Sequence, residues 1–523
     1  MPSFSWVSRL LCAWGVVVAV TLVAGCTVGP TYHAPTAPKN NAYQINKTTT
    51  GSTSSNHNAI RQQVFKRAGR VRADWYKIFG SDKLNALIGQ ALAHNPSLAA
   101  GRARLKAAHE AVKASKGALL PQISANAGVS HNKANGTRLG IAQKRFVNVF
   151  NLYQGQLTAR YNLDLFGKTR RRIERSAAQL HERRYRVLNT YVTLINNIVA
   201  SAIAEAGVNA ALQTTHQIIH AQKQSLKIIR KQIQYGAALQ NKASQLQTQL
   251  AATQASLAPL RKQRMLAVNR LAVLTGSTPG TFSDPKFQLD QLKLPQKLPV
   301  SVPAQLVKHR PDILAAASAL HAASAEVGVA TANRLPNITL SASYGRNGLN
   351  PGDLANPVLA VYSIGAQLTA PIFEGGRLSA RQRQAKHNYD AARADYRAKI
   401  LSAFGNVSDS LRSLTSDSSA LKARKRALHA ARNNLDTVKA QLRHGAADYE
   451  SLYQAQAQYR RIDLHYTKAR VTRYRDTAAL FRALGGGWWN AKGAPLAKPH
   501  SKDASTGVSN GKSQATNSAK TSN

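Results

Sequence analysis

Acidic residues are scarce in this chain. Its 523 residues carry 23 Asp and Glu against 71 Lys and Arg, a formal net charge of +48. Such an excess calls for an anionic partner or surface, whether nucleic acid, lipid phosphates or an acidic protein. The 15 histidines would add to it in acid, so service at low external pH is one reading of the bias. Cysteine is scarcer still, with Cys12 and Cys26 alone, both near the N-terminus. A disulfide framework or a Cys-x-x-Cys site is thereby excluded. No apolar run reaches the roughly 20 residues of a membrane-spanning helix; the longest, Leu10 to Leu22, falls short. His-Glu-x-x-His, P-loop and Gly-x-Ser-x-Gly patterns are missing as well. The expectation is no enzyme, no cofactor and no metal, with His109-Glu110 a solvated pair on a helix.

The short apolar run has its own meaning. Arg9 precedes it, and Val23-Ala24-Gly25 sets small residues directly before Cys26. This resembles a bacterial lipoprotein signal, in which residues 1–25 leave and Cys26 is lipidated. Several acyl chains on one cysteine anchor firmly. Thr27 in place of Asp after that cysteine favours the outer membrane, by resemblance to enteric lipoproteins.

What the chain does have is period. In residues 152–165, Tyr153, Leu157, Ala159, Tyr161, Leu163 and Leu165 alternate with Gln154, Gln156, Thr158, Arg160, Asn162 and Asp164. That is a two-faced strand. After Gly167 the period turns helical and no proline interrupts 168–235, which predicts a rod about 100 Å long. Helices are also expected over 82–119, broken at Pro96, and over 239–274; a second two-faced strand is expected over 122–131. Residues 131–151 read as a loop, 26–80 as an N-terminal arm, extended over 27–72, and 277–303 as an irregular linker.

Then the pattern recurs. Pro96 and Pro121 are matched by Pro311 and Pro336, with the same spacing. Strands follow over about 337–346 and 361–373, then helices over 304–334, 377–444 and 448–484 around them. An internal duplication is the firmest sequence inference. The basic stretch 488–523 reads as disordered.

Each strand can cross a bilayer when tilted. Its polar face then needs water, which implies a barrel with a wet lumen. Four strands cannot close a barrel, and open edges are not tolerated in lipid. Two copies would give eight strands and three would give twelve; the arithmetic leaves both open.

Short motifs in a fixed order carry a family resemblance over about residues 23–489. They are Cys26-Thr-Val-Gly-Pro-Thr-Tyr32 with Pro35, Asp74-Trp75, Asp164-Leu-Phe-Gly167, Arg310-Pro-Asp312-Ile313, Pro371-Ile-Phe373 and Ala483-Leu-Gly-Gly-Gly-Trp488. The chain resembles the outer-membrane factors of tripartite efflux pumps, the TolC-like proteins of the OprM/NodT lipoprotein branch. The resemblance implies a mainly α chain with transmembrane β, in a homotrimer with a 12-stranded β-barrel, four strands per chain, continuous with a long periplasmic α-helical barrel. It implies a passive conduit, a periplasmic adaptor, an inner-membrane transporter of the resistance–nodulation–division (RND) class, and contact with outer-membrane lipids. A type I secretion duct shares the fold and is the alternative. A basic coiled coil binding nucleic acid is opposed by the lipoprotein signal and the strands.

Two sets of residues become candidates. Lys168, Arg170, Arg171, Arg172 and Arg175 open the first long helix, and Arg377, Arg381, Arg383 and Lys386 open the second. Nine per chain in three chains would ring the barrel–helix junction with 27 cations, facing lipid phosphates or the pore. At the periplasmic tips the family carries a gate aspartate at the position of Gln454 and a leucine where Glu450 stands. A charged latch of Glu450, Asp448 and Arg443 of a neighbouring chain is expected there.

Overall fold

The computed structural model describes residues 27–33, 63–67, 71–135, 147–300 and 303–490. The signal segment, Cys26, most of the N-terminal arm and the tail from 491 lie outside them.

Four antiparallel strands form one sheet in the order β2 (Gln122–Asn135), β3 (Val147–Leu163), β5 (Asn337–Gly348) and β6 (Ala360–Thr369). Register keeps the two faces separate across all four. Ile123 pairs with Ala159, Ala159 with Ala342 and Ala342 with Ile364. Ser124, Thr158, Ser343 and Ser363 form the neighbouring polar row. Slipping one strand by one residue would turn its apolar set into the polar row, so the pattern fixes the pairing. The apolar face is bare within one chain: Ile123, Leu157, Tyr362 and Ile364 are 54–82% exposed. The outer strands β2 and β6 keep free edges among the described residues.

β2 and β3 run further than expected, into what read as a loop, and pair as far as Asn135 with Val147. Their outer ends, such as Ser130-His131-Asn132, lose the apolar alternation but keep the ladder of backbone hydrogen bonds.

Each hairpin feeds one long helix, α3 (Lys168–Gln234) from β3 and α8 (Arg377–Arg443) from β6, both 67 residues. At 1.5 Å per residue each is about 100 Å. The backbone repeats itself as well. Both helices start after a left-handed glycine, Gly167 (φ 75°) and Gly376 (φ 78°), and end before another, Gly236 (φ 71°) and Gly445 (φ 72°). A Cβ is disfavoured at these dihedrals.

The shorter helices are α1 (Asp82–His94), α2 (Pro96–Gly117), α4 (Gln240–Ala255), α5 (Leu257–Leu274), α6 (Pro303–His309), α7 (Pro311–Ala332) and α9 (Tyr449–Ala483). Ser81 and Asn95 cap α1 and α2 by accepting from the backbone N–H of Leu84 and Leu98. Two expected helices are divided. The stretch 239–274 breaks at Ser256, and 304–334 breaks at Arg310, whose following proline starts α7.

Three further expectations are corrected. The arm is not wholly a surface strap, because Gln63 and Phe65 are buried and β1 (Val64–Arg67) pairs in parallel with β4 (Lys297–Val300). The linker 277–303 is likewise anchored by buried Phe287, Leu289 and Leu292. The first residues of the supposed tail are packed: Trp488 donates to the His309 carbonyl (2.8 Å) and Asn490 to the Val71 carbonyl (2.7 Å). All three meet the main core, where Trp75 stacks on Phe481 (5.1 Å) among Phe79, Ile88, Leu98, Ile195 and Ile198.

Candidate functional site: the barrel junction and the tips

At the barrel–helix junction the two basic clusters have different fates. In the first, Arg170 Nε pairs with Asp164 (3.3 Å), and Arg175 Nη1 with Glu326 (2.5 Å). Arg171 is only 6% exposed. It donates from Nε to the Val28 carbonyl (3.2 Å), from Nη2 to the Gly29 carbonyl (3.2 Å) and from Nη1 to Glu174 (2.8 Å). Glu174 also bonds His321 (2.8 Å), and these two partners, His321 first, hold its carboxyl below the usual range. His321 stacks on Tyr32 at 4.2 Å. Lys168 is half-buried, and burial together with Arg172 lowers its pKa.

The second cluster is exposed. Arg377 pairs with Glu374, whereas Arg381, Arg383 and Lys386 have no ion-pair partner among the described residues. Of the nine cations per chain expected to face lipid phosphates or the pore, Arg170, Arg171, Arg175 and Arg377 are paired with carboxylates of their own chain. Arg171 is a clamp for residues 28–29, next to Cys26. A buried guanidinium needs its five donors satisfied, and carbonyls of a docked segment do this.

At the tips, Glu450 Oε2 lies 3.5 Å from Lys242 Nζ, and Gln454 donates to Glu450 Oε1 (2.9 Å). Asp448 instead caps α9, accepting from Ser451 N–H at 2.8 Å; hydrogen bonding from the Ser451 hydroxyl and then from its backbone N–H lowers the Asp448 pKa. Arg443 has no ion-pair partner among the described residues. Sequence reasoning missed Lys242. The signal was there: Lys242 lies six residues beyond Gly236 and Glu450 five beyond Gly445, so duplication puts them at matching heights. The pair borders a cavity of ≈ 590 Å³ lined by Ser225, Gln245 and Arg461 among others.

Each long helix also carries one carboxyl of raised pKa at mid-length. Glu205 on α3 is fully buried and bonded by Asn209 (3.3 Å). Burial and neighbouring Asp284 push its pKa up to about 7. Asp417 on α8 is pushed up to about 7 by burial and by Asp476 on α9.

A two-faced transmembrane sheet continuous with a pair of 67-residue helices is the geometry of a conduit. A family model described as outer membrane efflux protein matches residues 87–277 and 302–486, one match for each repeat. The chain belongs to that family. It is 27% identical over 495 residues to outer membrane protein OprJ of Pseudomonas aeruginosa, covering 93% of this chain and 96% of the relative. It is 26% identical over 437 residues to the pyoverdine export outer membrane protein OpmQ of the same species, covering 82% and 91%. The solved outer-membrane channel OprN superposes with a TM-score of 0.78 at 27% identity, covering 88% of this chain and all of that one. The protein is thus an outer-membrane efflux channel of a Gram-negative bacterium, with the trimeric barrel-and-tunnel fold. Its relatives are efflux and export components, which favours that reading over a secretion duct.

Proposed function

We propose that the trimer is the passive outer segment of a tripartite pump, joined to a periplasmic adaptor and fed by an inner-membrane transporter of the RND class. Lipidated Cys26 anchors it, and the Arg171 clamp sets that anchor at the barrel–helix junction. The tips are held shut by a Glu450–Lys242 pair in each protomer. The supporting observation is the matching height of these two residues at the ends of the two hairpins. An ion pair with Lys242 about half exposed is worth about 0.2–1 kcal/mol. Three of them make a latch that a docking partner can open cheaply. Glu450→Ala should admit vancomycin, measured as growth inhibition, while leaving trimer yield unchanged; unaltered vancomycin tolerance and conductance rule the latch out. Lys242→Glu combined with Glu450→Lys should restore closure.

Selection of cargo sits mainly with the inner-membrane partner. Deleting the channel and challenging cells with drugs, metals, solvents and siderophores identifies the cargo. Lipid labelling at Cys26 tests the anchor. The exposed second cluster is assigned to phosphate headgroups of the inner leaflet; Arg381→Glu should slow membrane insertion, and an unchanged rate removes that role.

A further inference from the structure

The barrel has almost no negative charge. Residues 119–163 contain no Asp or Glu, and residues 335–373 contain Asp353 alone. The same two stretches hold six cations: Lys133, Arg138, Lys144, Arg145, Arg160 and Arg346. Asp353 is occupied, accepting from the backbone N–H of Leu349 (2.8 Å) and Asn350 (2.9 Å).

Parity decides which cation faces the pore. On the described strands the polar face holds Gln122, Ser124, Asn126, Gln154, Gln156, Asn162, Thr339, Ser341, Ser363 and their like, and one charged side chain, Arg160. Lys133 and Arg346 lie on the opposite parity toward the outer ends, where Arg346 donates to the Leu354 carbonyl (2.9 Å). Arg160 pairs in register with Gln122, the first residue of β2, and with Ser341. It therefore sits at the periplasmic mouth of the barrel, is exposed, and has no carboxylate partner among the described residues. The nearest acid in sequence, Asp164, is bound by the N–H groups of Thr169 (2.8 Å) and Arg170 (2.9 Å) and by the Arg170 guanidinium.

We propose that Arg160 is a specificity-determining residue of the conduit: three guanidiniums, one per protomer, ring the barrel mouth and favour small anionic solutes over cationic ones. This rests on the trimeric barrel with a watery polar face. The walls are of low dielectric and carry no opposing charge, so the field is focused in the lumen. Guanidinium is charged at every physiological pH, so the preference is permanent and is weakened by salt, not by titration.

The test uses the full-length channel in outer-membrane vesicles. The chain's two cysteines lie at positions 12 and 26, so the unaltered protein supplies a low background. Ser341→Cys places a thiol opposite Arg160, and Ile364→Cys places one on the apolar face. Rates are measured with a sulfonate-bearing and a trimethylammonium-bearing methanethiosulfonate, relative to a free thiol. The thiol from Ser341→Cys should react at least about threefold faster with the anionic reagent at low salt, a modest effect beside the roughly 10–10³-fold that focused fields reach. Adding Arg160→Gln should abolish that preference, Arg160→Glu should invert it, and Arg160→Lys should keep it. A preference unchanged by Arg160→Gln, or one for the cationic reagent in the parent, overturns the proposal. If Ile364→Cys reacts as readily as Ser341→Cys, or neither reacts, the barrel reading itself has failed.

Discussion

The two long helices are equal in length and glycine punctuation, yet one is a core element and the other is a flank. Along α3, Val192, Ile195, Ile198, Val199, Ala202, Ile203 and Ala206 are all buried. The matching part of α8 buries Ala403, Val407, Leu411 and Leu414, and leaves Leu401 61% exposed. α3 is apolar enough in its middle to pass for a membrane span, but that stretch is packed inside the protein. Duplication thus supplied one helix and position changed its composition. The copy at the protomer centre gained an apolar stripe on most sides, because α2, α4, α5, α7 and α9 all pack against it. The copy at the edge packs mainly on α7 and α9. Its uncovered side, like Met265, Leu266 and Val273 of α5, is exposed within one chain.

The largest effect should come from the main core, to which α3 contributes more residues than α8. Trp75→Ala removes a ring 1% exposed and stacked on Phe481. It should cost about 3–5 kcal/mol, read as lost folded protein in membranes and a lower thermal midpoint. Next comes the sheet. Ile364→Arg puts a cation on the lipid face and should cost about 2–4 kcal/mol near the bilayer midplane, whereas the neighbouring Ser363→Arg, facing the lumen, should leave trimer yield unchanged. Equal losses would break the two-faced account.

The junction glycines sharpen the comparison further. At both, alanine must adopt a left-handed backbone, about 1–2 kcal/mol. At Gly376 a Cβ meets open space, while at Gly167 it would lie 2.6 Å from Thr27 Cγ2. Gly167→Ala should therefore be the more destabilising, and should also release residues 27–29 to proteolysis. Similar urea midpoints for the two would deny the docked N-terminal segment.

The smallest effect is a pH slope. Glu205 and Asp417 hold their protons up to about 7 in the folded protein but only to the ordinary carboxyl range when unfolded. Folding then takes up protons at these two sites, so their contribution is full below the ordinary carboxyl range and declines as pH rises toward 7. Glu205→Gln should flatten part of that slope, and adding Asp417→Asn should flatten more, in urea melts at pH 5 and pH 7. This direction suits the acidic-medium reading of the charge bias.

Much of this was legible because strands and helices of such length repeat their period many times. The parity of Ile338, Leu340, Ala342 and Tyr344 was enough to orient β5. Short elements and contacts between residues far apart in sequence were not. β4 spans four residues and includes Pro299, so it leaves no alternation to detect. The burial of Arg171 depends on a segment more than 140 residues away, and a run of basic residues looks the same whether it is solvated or clamped. Lys242 and Glu450 meet only after two hairpins fold side by side.

The central claim is that one chain is an incomplete object, finished by neighbours at the free edges of β2 and β6 and along the bare side of α8. A cryo-EM reconstruction of the full-length protein in lipid nanodiscs tests it directly. The account predicts a three-fold particle with twelve strands, β2 of each protomer against β6 of the next, and α8 covered by a neighbour. A dimer of eight strands, or a monomer with those edges exposed, would contradict it.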